Sequence, residues 1–363
     1  MSIFLDSVSK KVGTETHINN ISLEFENGTT NVVLGHTLAG KTSLLRLIAG
    51  LDRPTSGRIL MDGTDVIGVP VRKRSVAMVY QQFINYPSLT VYDNIASPLK
   101  MSGMKKDVID QKVRKTAAML HIDNLLDRLP AELSGGQQQR TAIARSLVKD
   151  AELLLLDEPL VNLDYKLREE LRFELQEIFK QRQAIVIYTT TEPAEALMLG
   201  GNIVVLDEGR VLQTGPTPYV YHHPENTRVA TVFSDPPINF LSGVVQGRFA
   251  KLGEDIGIPM VGHLESVPNG NYLFGVRPNH LFLTNGNEKN AEIRVKVELA
   301  EINGSETFIH VCHGDAHLVI QEDGIHTKQI GSEIAIYVDP CCFFVYDQAG
   351  QLVASPASNG VQK

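Results

Sequence analysis

The stretch Gly35-His36-Thr37-Leu38-Ala39-Gly40-Lys41-Thr42 follows the apolar run Asn31-Val32-Val33-Leu34 and leads into Ser43-Leu44-Leu45-Arg46-Leu47-Ile48-Ala49, whose apolar spacing is helical. A loop of small residues between a strand and a helix lets successive backbone N–H groups turn toward a polyphosphate, and the positive end of the helix points at it. Lys41 then reaches the terminal phosphates, and the Thr42 hydroxyl is placed to ligate Mg²⁺. The expected nucleotide-binding set is Gly35, His36, Thr37, Leu38, Ala39, Gly40, Lys41, Thr42 and Ser43. The competing reading, a chance match in a glycine-rich turn, is weakened by the strand before and the helix after.

A second element has the chemistry that such a loop needs. Leu153-Leu154-Leu155-Leu156 runs into Asp157-Glu158-Pro159, which has the form of a Walker B strand. A buried strand that ends in two carboxylates can give Asp157 to the Mg²⁺ shell and leave Glu158 to polarise an attacking water. Alone, a leucine run ending in acid is a common strand terminus; paired with the phosphate loop it reads as half of one site.

Composition bounds what surrounds that site. A length of 363 residues predicts two domains, and 43% hydrophobic with 21% charged residues is an ordinary globular balance. A net charge of −8 argues against broad contact with nucleic acid. Cys312, Cys341 and Cys342 are odd in number and lack metal-ligand spacing, so they read as reduced structural thiols. The amino terminus carries no secretion-type signal, and no apolar stretch approaches the ~20 residues of a membrane span. The expectation is a cytoplasmic chain; at a membrane, another subunit must do the crossing.

Residues 3 to 34 alternate apolar and polar, with turns at Gly13 and Asn27-Gly28, which predicts short strands leading into the phosphate loop. A helical pattern runs from Lys105 to about Leu126, a further helix covers Lys166 to Lys180, and Ala184-Ile185-Val186-Ile187-Tyr188 reads as a buried strand. Alternating strands and helices imply a parallel sheet. Beyond Phe233 the texture changes to short strand-like runs such as Tyr272–Val276 and Ile293–Val297 between Gly, Asn and Pro breaks, as in a small barrel. The predicted organisation is an α/β nucleotide-binding domain over 1–233 with a helical subdomain at about 82–150, then a small all-β OB/MOP-like barrel over 234–363. Ser355 to Lys363 read as a frayed tail.

The third motif is Leu133-Ser134-Gly135-Gly136-Gln137. A serine and two glycines at a helix start expose N–H groups to an anion, although the same serine also suits a plain helix cap. Phosphate loop, LSGGQ and Walker B in this order resemble the ATP-binding subunits of ABC transporters. The resemblance implies an α/β P-loop ATPase with ATP and Mg²⁺ as ligands. It implies that Ser134, Gly135, Gly136 and Gln137 grip the γ-phosphate held by an opposite subunit, and that Gln81 is the Q-loop glutamine touching Mg²⁺ and water. Metal contacts would thus come from Thr42, Gln81 and Asp157, and Asn162-Leu163-Asp164 matches the D-loop.

Asn85 to Ile95, Ser234 to Leu241 and Gly275-Val276-Arg277-Pro278 resemble the sugar-importer class, including ATPases for maltose and glycerol phosphate, with their regulatory C-terminal barrel. Transmembrane permease subunits, a second ATPase subunit and, indirectly, an external binding protein are the implied partners, with the chain peripheral on the cytoplasmic face of the bacterial plasma membrane. Spacing puts Thr191 where the family has its switch histidine, a catalytic position. Threonine is short and neutral where imidazole would hold the γ-phosphate. Val12 stands in place of the adenine-stacking aromatic residue, Leu38 in place of a loop glycine, and Val161 in place of a small D-loop residue. An intact LSGGQ beside weakened local positions fits a heterodimer, while retention of Lys41, Gln81, Asp157 and Glu158 fits an active homodimer. Leu38, Gln82–Tyr86 and Thr189–Glu192 together look most like one of the two ATPases of bacterial glycerol importers. A soluble ABC protein acting on DNA or ribosomes and a noncatalytic regulatory subunit are the rival readings.

Overall fold

The computed structural model describes residues 1–82, 84–161, 163–253 and 256–357. Phe83, part of the Gln82–Tyr86 match, Asn162, part of the D-loop match, and the end of the expected tail lie outside the described residues. The chain divides into two compact units, Met1–Thr214 and Gly215–Lys363. The boundary expected at 233/234 lies beyond the short helices Thr217–His222 and Thr227–Val232, which belong to the second unit.

The first unit contains two sheets. A four-stranded antiparallel sheet runs in the order Glu15–Phe25, Ile3–Val12, Ser56–Met61, Thr64–Asp65. A six-stranded sheet runs Arg210–Pro216, Asn202–Asp207, Thr30–Leu34, Ile185–Thr190, Leu153–Asp157, Val76–Val79, and neighbouring strands from Asn202–Asp207 to Val76–Val79 pair in parallel. Parallel strands covered on both faces read as near-continuous apolar runs, and Leu153–Asp157 and Ile185–Thr190 are buried at every position, polar only at their carboxyl ends.

The helix Lys41–Ala49 packs between the sheets. Leu44, Leu45, Leu47 and Ile48 share one buried cluster with Ile3, Leu5, Ile21 and Phe25 from the antiparallel sheet and with Val33, Leu155 and Ile187 from the parallel one. Each such side chain contributes about 1.5–3 kcal/mol on burial, against at most about 1 kcal/mol from a charge at an exposed helix end. Packing therefore fixes where this helix begins, and with it where Lys41 and Thr42 stand. The strand register completes the placement. Leu34 pairs with Thr190 and Asp157 with Thr189, so the phosphate loop, Asp157 and Thr189 leave the sheet at one edge, the carboxyl ends of its strands.

The helical segment comprises Val91–Met101, Lys106–Met119 and Gly135–Leu147. The single helix expected from Lys105 to Leu126 ends early because His121 takes a left-handed φ of 53°, after which Asp123–Leu125 forms only a 3-10 turn. Arg140 donates to the Leu120 carbonyl at 2.9 Å, satisfying a carbonyl that the helix end leaves open.

In the second unit the expected small all-β domain takes the form of two antiparallel sheets of six and four strands around one buried cluster, which includes Leu252, Phe274, Val295, Val311 and Ile336. Arg277 is 4% exposed, and among the described residues no carboxylate pairs with it. Its guanidinium donates to the carbonyls of Phe233 at 3.0 Å and Tyr221 at 2.8 Å and to the Ser234 hydroxyl, and it lies 3.8 Å from the Tyr221 ring centroid. The rigid fork thereby fastens the short-helix segment to the strand Gly270–Val276. Arg277→Leu strands three acceptors, so urea unfolding should show a loss of about 2–4 kcal/mol that Arg277→Lys does not recover. A loss under about 1 kcal/mol would contradict this role.

Candidate functional site: a phosphate and metal pocket

Backbone conformation shapes the loop first. Leu38 and Gly40 have φ of 69° and 104°. Glycine is required at position 40, because a Cβ there would stand 2.7 Å from the His17 carbonyl oxygen as well as on a left-handed backbone. No side chain caps the helix that Gly40 opens, so its first-turn N–H groups remain available to an anion.

Lys41 is 4% exposed, and its ammonium donates to the carbonyls of Gly35 at 2.6 Å and His36 at 2.8 Å. It also pairs with Glu158 Oε1 at 3.1 Å. The other oxygen, Glu158 Oε2, accepts from Gln81 Nε2 at 3.2 Å. Glu158 has φ of 43°, a left-handed backbone that costs a non-glycine residue about 1–3 kcal/mol and persists only when neighbours over-determine it. Here the neighbours are Lys41, Gln81 and the Thr189 hydroxyl, which accepts from the Glu158 N–H at 3.0 Å.

Asp157 is 3% exposed, and its Oδ1 accepts from the hydroxyls of Thr42 and Thr189, each at 3.0 Å. Burial pushes its carboxyl above the usual aspartate range, the two hydroxyls pull it partly back, and the adjacent Glu158 charge adds to the rise. Hard oxygens from Thr42 and Asp157 fit a Mg²⁺ that takes only one or two protein ligands and completes its shell from phosphate and water. Among the described residues no group of three or more His, Cys, Asp or Glu forms a self-sufficient metal cage.

Structure thus brings Lys41, Thr42, Gln81, Asp157 and Glu158 together. Gln81 joins this group through Glu158. The LSGGQ residues form a separate group. Ser134 Oγ accepts from the Gln137 N–H at 3.4 Å, and Gln137 Oε1 accepts from the Ser134 N–H at 3.0 Å, a reciprocal cap on the helix Gly135–Leu147. A Cβ on Gly136 would fall 1.8 Å from Leu167 Cδ2, so any side chain there would require Leu167 to move. Asn85 Nδ2 donates to the Gln138 carbonyl at 2.8 Å, joining the segment after Gln81 to this helix.

Thr191 makes no side-chain hydrogen bond among the described residues. The chain just beyond it is held: Glu192 pairs with Arg168 and, at 3.6 Å, with Arg172, and its N–H donates to Thr190 Oγ1 at 3.0 Å. Arg168 also reaches the Leu163 carbonyl at 3.2 Å, and Asp164 caps the helix Tyr165–Lys180 by accepting from the Leu167 N–H. Val12, Leu38 and Val161 are 51%, 95% and 36% exposed, so each is open to a ligand or a partner. Sequence reasoning missed Thr189 and the Arg168–Glu192 pair. The available signal was the run of hydroxyls Thr189-Thr190-Thr191 closing an otherwise apolar strand.

This fold and site define a P-loop ATPase of the cassette type. Residues 18–161 match the family described as ABC transporter. The chain is 34% identical over 356 residues to an uncharacterized ABC transporter ATP-binding protein of Bacillus subtilis, covering 94% of this chain and 97% of that one. It is 36% identical over 365 residues to the trehalose/maltose import ATP-binding protein MalK of Thermococcus litoralis, covering 95% and 97%. With the lactose transport ATP-binding protein LacK of Rhizobium radiobacter it shares 34% identity over 361 residues, covering 96% and 98%. The solved dimeric ATP-binding cassette MJ0796, bound to ADP and Pi, superposes with a TM-score of 0.54 at 27% identity, over 59% of this chain and 98% of that one. The chain belongs to the ATP-binding proteins of ABC transporters, enzymes in which ATP hydrolysis is coupled to transport.

Because burial disfavours the Asp157 charge, Asp157→Asn should raise the thermal midpoint of the nucleotide-free protein near neutral pH while abolishing its response to Mg²⁺. Asparagine keeps an oxygen for both threonines and removes the desolvated charge. Asp157 has a raised native pKa, so its penalty is full above that value and absent below the ordinary aspartate value. The advantage of the asparagine variant must therefore shrink as pH falls through that window. Calorimetry at several pH values checks this, and a midpoint lowered at every pH would contradict it.

Proposed function

We propose that this chain is the ATPase subunit of an ABC importer for a carbohydrate or polyol, with glycerol the first candidate, and that it pairs with a different ATPase subunit against transmembrane permeases. The observation that carries the ATPase reading is the convergence of Lys41, Thr42, Asp157, Glu158 and Gln81 within direct hydrogen bonds or ion pairs. Bound Mg²⁺ would neutralise phosphate charge. Lys41 and the open helix end hold the phosphates, Asp157 and Thr42 supply metal oxygens, and Glu158 accepts the proton of the attacking water. None of the described helices is long and apolar enough to cross a membrane, which supports a peripheral place on the cytoplasmic face, with permeases making the crossing.

Sugar-importer names among the relatives support the substrate class. Glycerol rests on the resemblance at Leu38, Gln82–Tyr86 and Thr189–Glu192. Pairing with a different ATPase rests on an intact LSGGQ beside the departures at Thr191 and Val12. A symmetric homodimer is the second reading, favoured by the retained Lys41, Gln81, Asp157 and Glu158.

Uptake of labelled glycerol and labelled maltose by the assembled transporter in vesicles tests substrate and pairing together. Ser134→Asp keeps a helix-capping oxygen but places a carboxylate at the phosphate contact. It should reduce uptake at least about a hundredfold, whereas Glu158→Gln costs only a few-fold. Equal collapse from both establishes the symmetric arrangement. With the partner's catalytic carboxylate disabled, Thr191→His should raise the residual hydrolysis, since imidazole adds a donor toward the γ-phosphate. No rise would mean that Thr191 is not what limits this site.

A further inference from the structure

We infer that Thr189 is a positioning residue for both acidic groups of the ATP site, one hydroxyl holding the Asp157 carboxylate and the backbone that presents Glu158. The inference rests on the ATP-site reading above. Thr189 is fully buried at the end of Ile185–Thr190, and the register sets it beside Asp157 on one neighbouring strand and Val33 on the other. Its hydroxyl has one proton and spare lone pairs. The proton goes to Asp157 Oδ1 at 3.0 Å, with the Leu156 carbonyl a longer alternative at 3.4 Å, and a lone pair receives the Glu158 N–H at 3.0 Å.

Only a residue that donates and accepts from one atom meets both demands. Valine has the same shape and would fill the strand equally well, yet it would leave Asp157 Oδ1 with Thr42 as its sole hydroxyl donor and the Glu158 N–H without an acceptor. The consequence differs from that of an ordinary buried threonine. Asp157 would lose the donor that is not shared with the metal ligand Thr42. Glu158 would lose the anchor at the left-handed turn from which its carboxylate reaches Lys41 and Gln81. Thr189 therefore acts on metal capture and on turnover, through groups it positions, and has no part in phosphate binding.

The test uses the full chain and fluorescent ATP, first in EDTA and then in a Mg²⁺ titration, with turnover measured in the assembled transporter after the other subunit's catalytic carboxylate has been disabled, so that only this chain's site turns over. Thr189→Val should bind nucleotide in EDTA within twofold of wild type, need about tenfold more Mg²⁺ for the half-maximal gain in affinity, and lose at least about tenfold in kcat. Thr189→Ser should recover both to within threefold. If thermal unfolding shows the valine variant misfolded, Thr189→Ala, which only shrinks the side chain, must show the same Mg²⁺ requirement. A folded Val or Ala variant with unchanged Mg²⁺ requirement and kcat overturns the inference alone. Wild-type chain that binds no nucleotide overturns the ATP-site reading and this inference with it.

Discussion

A primary ammonium buried to 4% exposure must be given acceptors, and around Lys41 they come from three places at once: the loop carbonyls of Gly35 and His36, and the carboxylate of Glu158, just beyond the strand Leu153–Asp157. That requirement ties the phosphate loop to the strand Leu153–Asp157 before any ligand is present. Glu158 in turn draws in Gln81, and Thr42 draws in Asp157. The two sheets and the helix between them exist, in functional terms, to keep these groups within about 3 Å of one another. The helix start is fixed by the apolar contacts of Leu44, Leu45, Leu47 and Ile48, which outweigh the electrostatics of the site itself.

The same pairing sets a resting arrangement for the Glu158 carboxylate. With one oxygen on Lys41 and the other on Gln81, Glu158 is a weaker base toward water than a free carboxylate. Phosphates that draw Lys41 toward themselves weaken its hold on Glu158, so ligand binding and readiness for hydrolysis are linked through one ammonium. Beside this lies a second network, in which Tyr188 donates to Glu195 at 2.9 Å and Arg172 stands 3.6–3.8 Å from Glu192 and Glu195. Burial raises the Glu195 carboxyl and the Tyr188 phenol alike, so this network is held by hydrogen bonding as much as by charge. It fixes the segment around Thr191 against the helix Tyr165–Lys180, and Thr191 brings only a short, neutral hydroxyl to that segment.

What was legible in the sequence was what is local. The phosphate loop, the leucine strand with its two acids and the LSGGQ helix start are each contiguous, and each carries its chemistry in neighbouring residues. The strands at 3–12, 15–25 and 30–34 followed from alternation and two turn signals. The break at His121 was invisible to periodicity, because the apolar spacing continues through Leu125 while the backbone turns left-handed. Thr189 was missed for a related reason. It reads as a β-branched residue in a strand, and only the parallel register, which pairs it with Asp157 across more than thirty residues of sequence, reveals what its hydroxyl touches. Likewise Arg277 was legible as part of a family pattern, but its fastening of Tyr221, Phe233 and Ser234 was not.

The central claim is that Lys41 organises a Mg-ATP site on this chain, and equilibrium titration of the full chain with ATP in excess Mg²⁺ tests it most directly. Replacing Lys41 by alanine removes a buried charge-assisted contact to phosphate, and affinity should fall at least about a hundredfold while the protein remains folded. A folded Lys41→Ala protein that binds ATP as tightly as wild type would contradict the account.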